Sequence, residues 1–326
     1  MGALVELSDL VVRFHARTGL FRTVAIHAVD GVSLTIEAGE TVALVGESGS
    51  GKTTLGRASL RLVRPASGSV RFDGRDITDA PERELKGFRR QAQAIFQDPY
   101  SSLNPYHTVR EAVEEPLAVH GIGTAAERTD RARKALEDVQ LRPADIFLPM
   151  YPHLLSGGQR QRVGIARALV LEPRYVVADE PVSMIDASSR AELLYLLRDL
   201  QATYGIAFLY VTHDIASARH FAGRIAVMYL GSIVEIGTPE AVVERPLHPY
   251  TKALIDAVPE PDPANRLRER AVVPGEVPSA ADPPAGCPFH PRCPRFMAGR
   301  CELLRPTLRE VEPGHYAACY LYEDEA

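Results

Sequence analysis

The chain has 326 residues, 45% of them hydrophobic and 24% charged, with a formal net charge of -5. That length suits one large domain plus an appendage, or two modest domains, each able to bury a sizeable core. Nothing in the charge balance favours nucleic acid or anionic membranes as bulk electrostatic partners; a nucleic-acid role would need a local patch, and no nucleic-acid partner is expected.

No stretch reaches the roughly 18 uninterrupted apolar residues of a membrane-spanning helix. The start, "MGALVELSDLVVRFHARTG", lacks the basic head and apolar run of a signal peptide, which predicts a cytosolic chain. Met1-Gly2 does not make a myristoylation signal, because Glu6 stands where that motif needs Ser or Thr. "LVELSDLVVRF" and "GVSLTIEAGE" follow each other without a helical pattern between them and predict antiparallel strands. After them, short β-branched runs such as "ETVALVG", "YVVADE" and "IAFLYVT" alternate with amphipathic sequence. This predicts an α/β domain with a mixed central sheet over residues 1–258. Between about Asp98 and Pro173 the apolar spacing is helical, for instance at Val163, Ala166 and Val170, which predicts a helical insertion. Residues 259–326 hold 12 of the 25 prolines, so a loop-rich extension is expected there.

"GESGSGKT", Gly46 to Thr53, fits G-x-x-x-x-G-K-[ST] between the apolar strand "TVALV" and the helical "TLGRASLRLV". Gly46, Glu47, Ser48, Gly49, Ser50, Gly51 and Thr54 then belong to a backbone cradle for phosphate at a helix N-terminus. Lys52 can reach the β- and γ-phosphates, and the Thr53 hydroxyl can ligate Mg²⁺. "YVVADE" ends a buried-type strand in two carboxylates. Asp179 can hold the metal, and Glu180 can polarise the water that attacks the γ-phosphate. In "LLSGGQRQRV", Ser156 is a suitable N-cap, while Gly157 and Gly158 leave backbone amides unobstructed before Gln159. That makes a second anion site, far along the chain from the first, and the simplest geometry completes it on another subunit's nucleotide.

"GESGSGKT", "LLSGGQ", "VVADE" and "VTHD", in this order, resemble the ATP-binding subunit of an ABC transporter, over roughly residues 4–258. The resemblance implies a P-loop fold of ABC type, with an antiparallel β subdomain and a helical signature subdomain. It also implies two such subunits sandwiching two ATP molecules, with ATP and Mg²⁺ as cofactors and ATP hydrolysis as the activity. Gln97 in "IFQDP" resembles the glutamine that touches Mg²⁺ and senses the γ-phosphate, His213 in "VTHD" the switch histidine, and Asp186 in "SMIDAS" the loop that communicates across the dimer. Met184 and Ile185 depart from the commoner S-A-L-D pattern, while Ser183 and Asp186 keep it. The register points to Phe21 as the adenine-stacking aromatic, with Phe14 as its rival.

"QDPYSSLNPYHTVREAVEEPLAVHG", "RPLHPYTKALIDAVPEPDP" and "GCPFHPRCP" resemble the oligopeptide/dipeptide branch of ABC importers, which also includes nickel and other small-solute systems. That branch implies a second ATPase subunit, usually a different homologous chain, with two transmembrane permease subunits and an extracytoplasmic substrate-binding protein. The place of action would be the cytoplasmic side of the membrane. The alternative is a soluble ABC ATPase acting on DNA ends or ribosomes. Only 58 residues separate Gln97 from Ser156, too few for the long heptad insertion of a DNA-repair ATPase, and each nucleotide motif occurs once. A GTPase is excluded by the lack of N-K-x-D.

Cys287, Cys293, Cys301 and Cys319 are the only cysteines, spaced C-x5-C-x7-C-x17-C. Disulfides are disfavoured in a cytosolic setting, and structural zinc usually draws on C-x2-4-C pairs, which are lacking. Four thiolates at wide, unequal spacing suit a [4Fe–4S] cluster, with Zn²⁺ as the alternative. Related importer ATPases carry such a tail, and the resemblance implies a cluster in some of them.

Overall fold

The computed structural model describes residues 2–17, 23–98, 102–258 and 275–323, with Ala187 and Ser188 described by their backbone alone. The chain divides into two compact units, the first made of Met1–Val5, Thr35–Thr41 and Arg71–Val211, the second of Glu6–Leu34, Val42–Val70 and Thr212–Ala326.

In the first unit, strands β6 (Ala92–Ile95), β7 (Tyr175–Asp179) and β8 (Ala207–Thr212) run parallel, with Ala92 opposite Tyr175 and Asp179 opposite Val211. Every residue of β7 and β8 is buried, which is why both read as unbroken apolar runs instead of alternating ones. A hairpin joins the end of β4 (Ser67–Phe72) to β5 (Arg75–Asp76). Helices α2 (Glu82–Gln91), α3 (Val109–His120), α4 (Ala125–Asp138), α5 (Ala144–Phe147), α6 (Gly157–Leu169) and α7 (Ala187–Tyr204) complete the unit. Among the described residues, those between β6 and β7 form no strand. Helices α3, α4 and α6 pack on one another. Their fully buried residues include Val109, Val113, Leu117, Ala132, Leu136, Val163 and Ala166. Each starts with a reciprocal capping box: Thr108 with Glu111, Thr124 with Glu127, and Ser156 with Gln159.

The second unit contains most of β1 (Val5–Arg17), β2 (Thr23–Ile36) and β4, which neighbour one another in the order β2-β1-β4. A second set of strands is mixed. β3 (Thr41–Val45) runs parallel to β9 (Arg224–Tyr229), and β9 pairs antiparallel with β10 (Ser232–Gly237). Helix α1 (Lys52–Ser59) follows β3. It stops four residues short of the sequence expectation, because Arg61 turns to a φ of 53° and the Leu62 and Val63 amides fold back on the Arg57 carbonyl. Helices α8 (Ile215–Phe221), α9 (Pro239–Glu244) and α10 (Pro249–Asp256) lie along the same unit's sequence.

The described part of the proline-rich extension is less irregular than its composition suggests. β12 (His315–Ala317) pairs antiparallel with β10, and β11 (Arg309–Glu312) pairs with β12. Strands of three and four residues hold too little alternation to stand out from a proline-rich background.

Candidate nucleotide site

In the second unit, β3 delivers the chain into Gly46–Gly51 and α1 leaves it. A Cβ on Gly46 would meet the Met228 carbonyl oxygen at 2.2 Å, and one on Gly51, at a φ of 102°, would meet that of Ala28 at 2.1 Å. Those two positions therefore require glycine. Gly49, at a φ of 79°, faces open space. Gly51 is the N-cap of α1 and offers no side chain to its amides, and the first turn carries no acidic residue. Such an end suits an anion, since its N–H groups and the helix dipole both favour negative charge.

Lys52 is buried, and its Nζ donates to the carbonyls of Gly46 and Glu47, each at 2.8 Å, and to Ser50 Oγ at 3.4 Å. The Ser50 amide donates to the Glu47 carbonyl, which tightens the loop. Ser48, Thr53 and Thr54 fall within the same loop and first turn. His213, exposed, precedes α8, whose first amides are capped by Asp214: its Oδ1 accepts the Ala216 N–H at 2.9 Å. Phe21 lies outside the described residues, while Phe14 is a partly exposed residue of β1.

The first unit gathers the other nucleotide-motif residues. Asp179, buried, ends β7, and Glu180 follows with its amide bonded to the Val211 carbonyl at 2.9 Å. Glu180 sits at a φ of 45°, in the left-handed region that costs a non-glycine residue on the order of 1 kcal/mol. Gln97 Nε2 donates to Glu180 Oε2 at 3.0 Å. The Glu180 carbonyl accepts both the amide and the hydroxyl of Ser183, at 3.2 and 3.0 Å. Asp186 then caps α7 by accepting the Ser189 N–H at 3.0 Å. Gln97, Glu180 and the Ser183–Asp186 turn are thus brought together.

Ser156 Oγ accepts the Gln159 amide at 3.2 Å, and Gln159 Oε1 accepts the Ser156 amide at 2.9 Å. The sequence reading singled out Ser156 as a cap but missed that Gln159 closes the box; the S-x-x-Q spacing was the available signal. A Cβ on Gly158 would meet nothing within 4 Å, and one on Gly157 would only touch the Met184 carbonyl at 4.0 Å. The Cβ side of both glycines is therefore uncrowded. Arg160, buried, ties the preceding turn to this helix start through the Pro152 and Leu155 carbonyls at 2.9 and 2.8 Å.

Also in the second unit, Cys287, Cys293, Cys301 and Cys319 line one small cavity together with His248, His290 and Tyr320. All four are free thiols. Burial, joined by the neighbouring thiols, pushes Cys287 up to about 12 and Cys319 up to about 11. Among the described residues, no three His, Cys, Asp or Glu side chains converge as ligands for a single metal ion.

Comparison with known proteins agrees with this layout. The ABC transporter profile matches residues 29–183, and the profile of the oligopeptide/dipeptide transporter C-terminal region matches residues 234–301. A protein of Brucella ovis named for peptide import and ATP binding is 50% identical over 316 residues, 97% of this chain and 98% of its own. The oligopeptide transport ATP-binding protein AppF of Bacillus subtilis is 43% identical over 98% of this chain and 97% of its own. Among solved structures, a dimeric ATP-binding cassette in a post-hydrolysis state, bound to ADP and Pi, is 34% identical with a TM-score of 0.64; the match covers 72% of this chain and 98% of that one. A subunit of an ABC transporter complex from Clostridium perfringens is 28% identical, with a TM-score of 0.65, over 75% of this chain and 92% of its own. Identity at this level over nearly the whole chain settles the assignment: the protein belongs to the family of ABC transporter ATP-binding subunits and carries the C-terminal region of its oligopeptide/dipeptide branch.

Proposed function

We propose that this chain binds and hydrolyses ATP to power import of oligopeptides or dipeptides across a membrane. The hydrogen bond from Gln97 to Glu180 carries the reading. Gln97 holds one oxygen of Glu180; in this reading the glutamine would sense metal and γ-phosphate, and the Glu180 carboxylate would orient water. Lys52, with the amides of Gly49 to Thr54, would take the phosphate charge; Thr53, Gln97 and Asp179 would hold Mg²⁺, which would supply charge neutralisation to the phosphates. Phe21 would stack on adenine, and His213 would contact the γ-phosphate. Ser156, Gly157, Gly158 and Gln159 would close on the nucleotide of a second subunit, with Asp186 at the dimer seam.

Among the described residues no helix is long and apolar enough to cross a membrane. In this reading, which rests on the importer-type relatives, the chain would act from the cytoplasmic face, on two permease subunits fed by an extracytoplasmic binding protein, paired with a homologous second ATPase. Residues 1–258 would form the nucleotide-binding domain and 259–326 the importer-type extension. Co-purification tests the class: recovery with two membrane subunits and peptide-stimulated ATPase activity in vesicles is expected, and recovery with nucleic acid or ribosomes would overturn it.

Four thiols around one cavity are the donor set of a [4Fe–4S] cluster, and Cys287, Cys293, Cys301 and Cys319 would hold it. Its role would be to cross-link the extension.

A further inference from the structure

Glu47, the second residue of the phosphate loop, is gripped twice within the second unit. Its backbone N–H donates to Tyr250 Oη at 2.9 Å, and its carboxylate accepts Arg292 Nη1 at 3.2 Å. Tyr250 belongs to α10 and is 1% exposed; Arg292 lies between Cys287 and Cys293 and is 8% exposed. Arg292 Nη1 also reaches Tyr229 Oη at 3.4 Å. Phe289, fully buried, packs edge-on against Tyr229 and tilted against Tyr250, with ring centroids 5.3 and 5.4 Å away.

Both grips trace back to the extension. The turn bearing Phe289 and Arg292 is pinned at its start by the Cys287 amide on the Cys301 carbonyl, at 2.8 Å. Just before it, Gly286 has a φ of 69° and approaches so closely that a Cβ would meet that same carbonyl at 2.3 Å. Tyr250 is set from the other side. His315 of β12 meets the buried Glu235 at 2.8 Å. Glu235 accepts the Leu247 and His248 amides at 3.0 and 2.7 Å, and His248 Nδ1 accepts the Tyr250 amide at 3.1 Å. Burial pushes the His248 pKa down to about 3, so its ring stays neutral and Nδ1 remains an acceptor.

What these contacts hold matters for the loop. The Gly46 and Glu47 carbonyls are the two that take Lys52 Nζ at 2.8 Å. Turning the Glu47 peptide would move one of them and release the lysine. We propose that Arg292 and Tyr250 are positioning residues for the phosphate loop, through which the cysteine-bearing extension sets the affinity for ATP. This rests on the nucleotide-site reading above.

The test is a double-mutant cycle on the full-length chain, read by equilibrium binding of ATP. Arg292→Gln and Glu47→Gln should each weaken ATP binding by roughly threefold to thirtyfold, as loss of one charge-assisted hydrogen bond does. The double variant should be no weaker than either alone, a coupling that a merely structural role would not produce. Arg292→Lys should recover part of the loss, and Tyr250→Phe should weaken binding with the cysteine segment untouched. If Arg292→Gln fails to fold, Glu47→Gln and Tyr250→Phe carry the test, and unchanged affinity in both overturns the proposal. Unchanged affinity in Arg292→Gln, or losses that simply add in the double variant, would overturn it as well, with the nucleotide-site reading intact. A parental protein that binds no ATP would instead overturn that reading, and this one with it.

Discussion

At the scale of single residues, Glu180 combines a strained backbone with a fixed side chain. The left-handed φ turns it out of β7, and Gln97 holds one carboxylate oxygen. Replacing it with Gln keeps shape and hydrogen bonding but removes the negative charge that orients water, so turnover should fall at least about a hundredfold while ATP still binds. Single-turnover hydrolysis and nucleotide-binding assays on the assembled complex check this. Two other substitutions separate the phosphate loop from the signature. Lys52→Ala removes the buried cation from the loop, and the isolated chain should lose ATP binding. Ser156→Arg should spare binding by the isolated chain but block ATP-dependent dimerisation, since its bulk falls at the N-cap of α6, where the partner's nucleotide would close. Gel filtration with ATP and the Glu180→Gln background shows the difference, and equal loss of monomer binding in both would contradict the two-site arrangement.

At the scale of elements, legibility followed the length and chemistry of the pattern. "TVALV" and "YVVADE" announced buried parallel strands because both faces of each are covered, and "GESGSGKT" announced its own loop because two of its glycines have no room for a Cβ. The grip of Arg292 on Glu47 spans 245 positions, and no local spacing encodes such a meeting. Nor could the place of β12 be seen, since it pairs with β10, far away in sequence. Between Leu103, buried, and α3, Asn104 Oδ1 caps the Tyr106 amide at 3.0 Å and the Tyr106 ring stands 86% exposed. An aromatic held out by an ordered turn suits contact with the permease subunits proposed above. Tyr106→Ala should lower recovery of the membrane subunits in pull-downs, or uncouple hydrolysis from transport. ATP affinity should change less than twofold, as is usual when an exposed side chain is truncated.

At the scale of the molecule, the cysteine cavity draws together Cys287, Cys293, Cys301 and Cys319 from across the extension. Anaerobically purified protein should be brown and contain about four irons per chain, and chelation or air oxidation should bleach it and lower the melting temperature. Colourless protein with about one zinc would establish the alternative. The pairing of β12 with β10 has one more consequence, for solubility. β10 is a buried strand, apolar but for Ser232 and Glu235, and without β12 one of its edges would offer unpaired amides and carbonyls to any passing chain. β11, which takes the outer position instead, is only four residues long and carries Arg309, Glu310 and Glu312. Charge and brevity make it a poor template for further strands. A chain cut before Arg309 would lose this guard even if its nucleotide motifs stayed whole. Light scattering should find such a truncation self-associating at concentrations where the full chain does not, and Lys introduced on the bared face of β10 should reverse it.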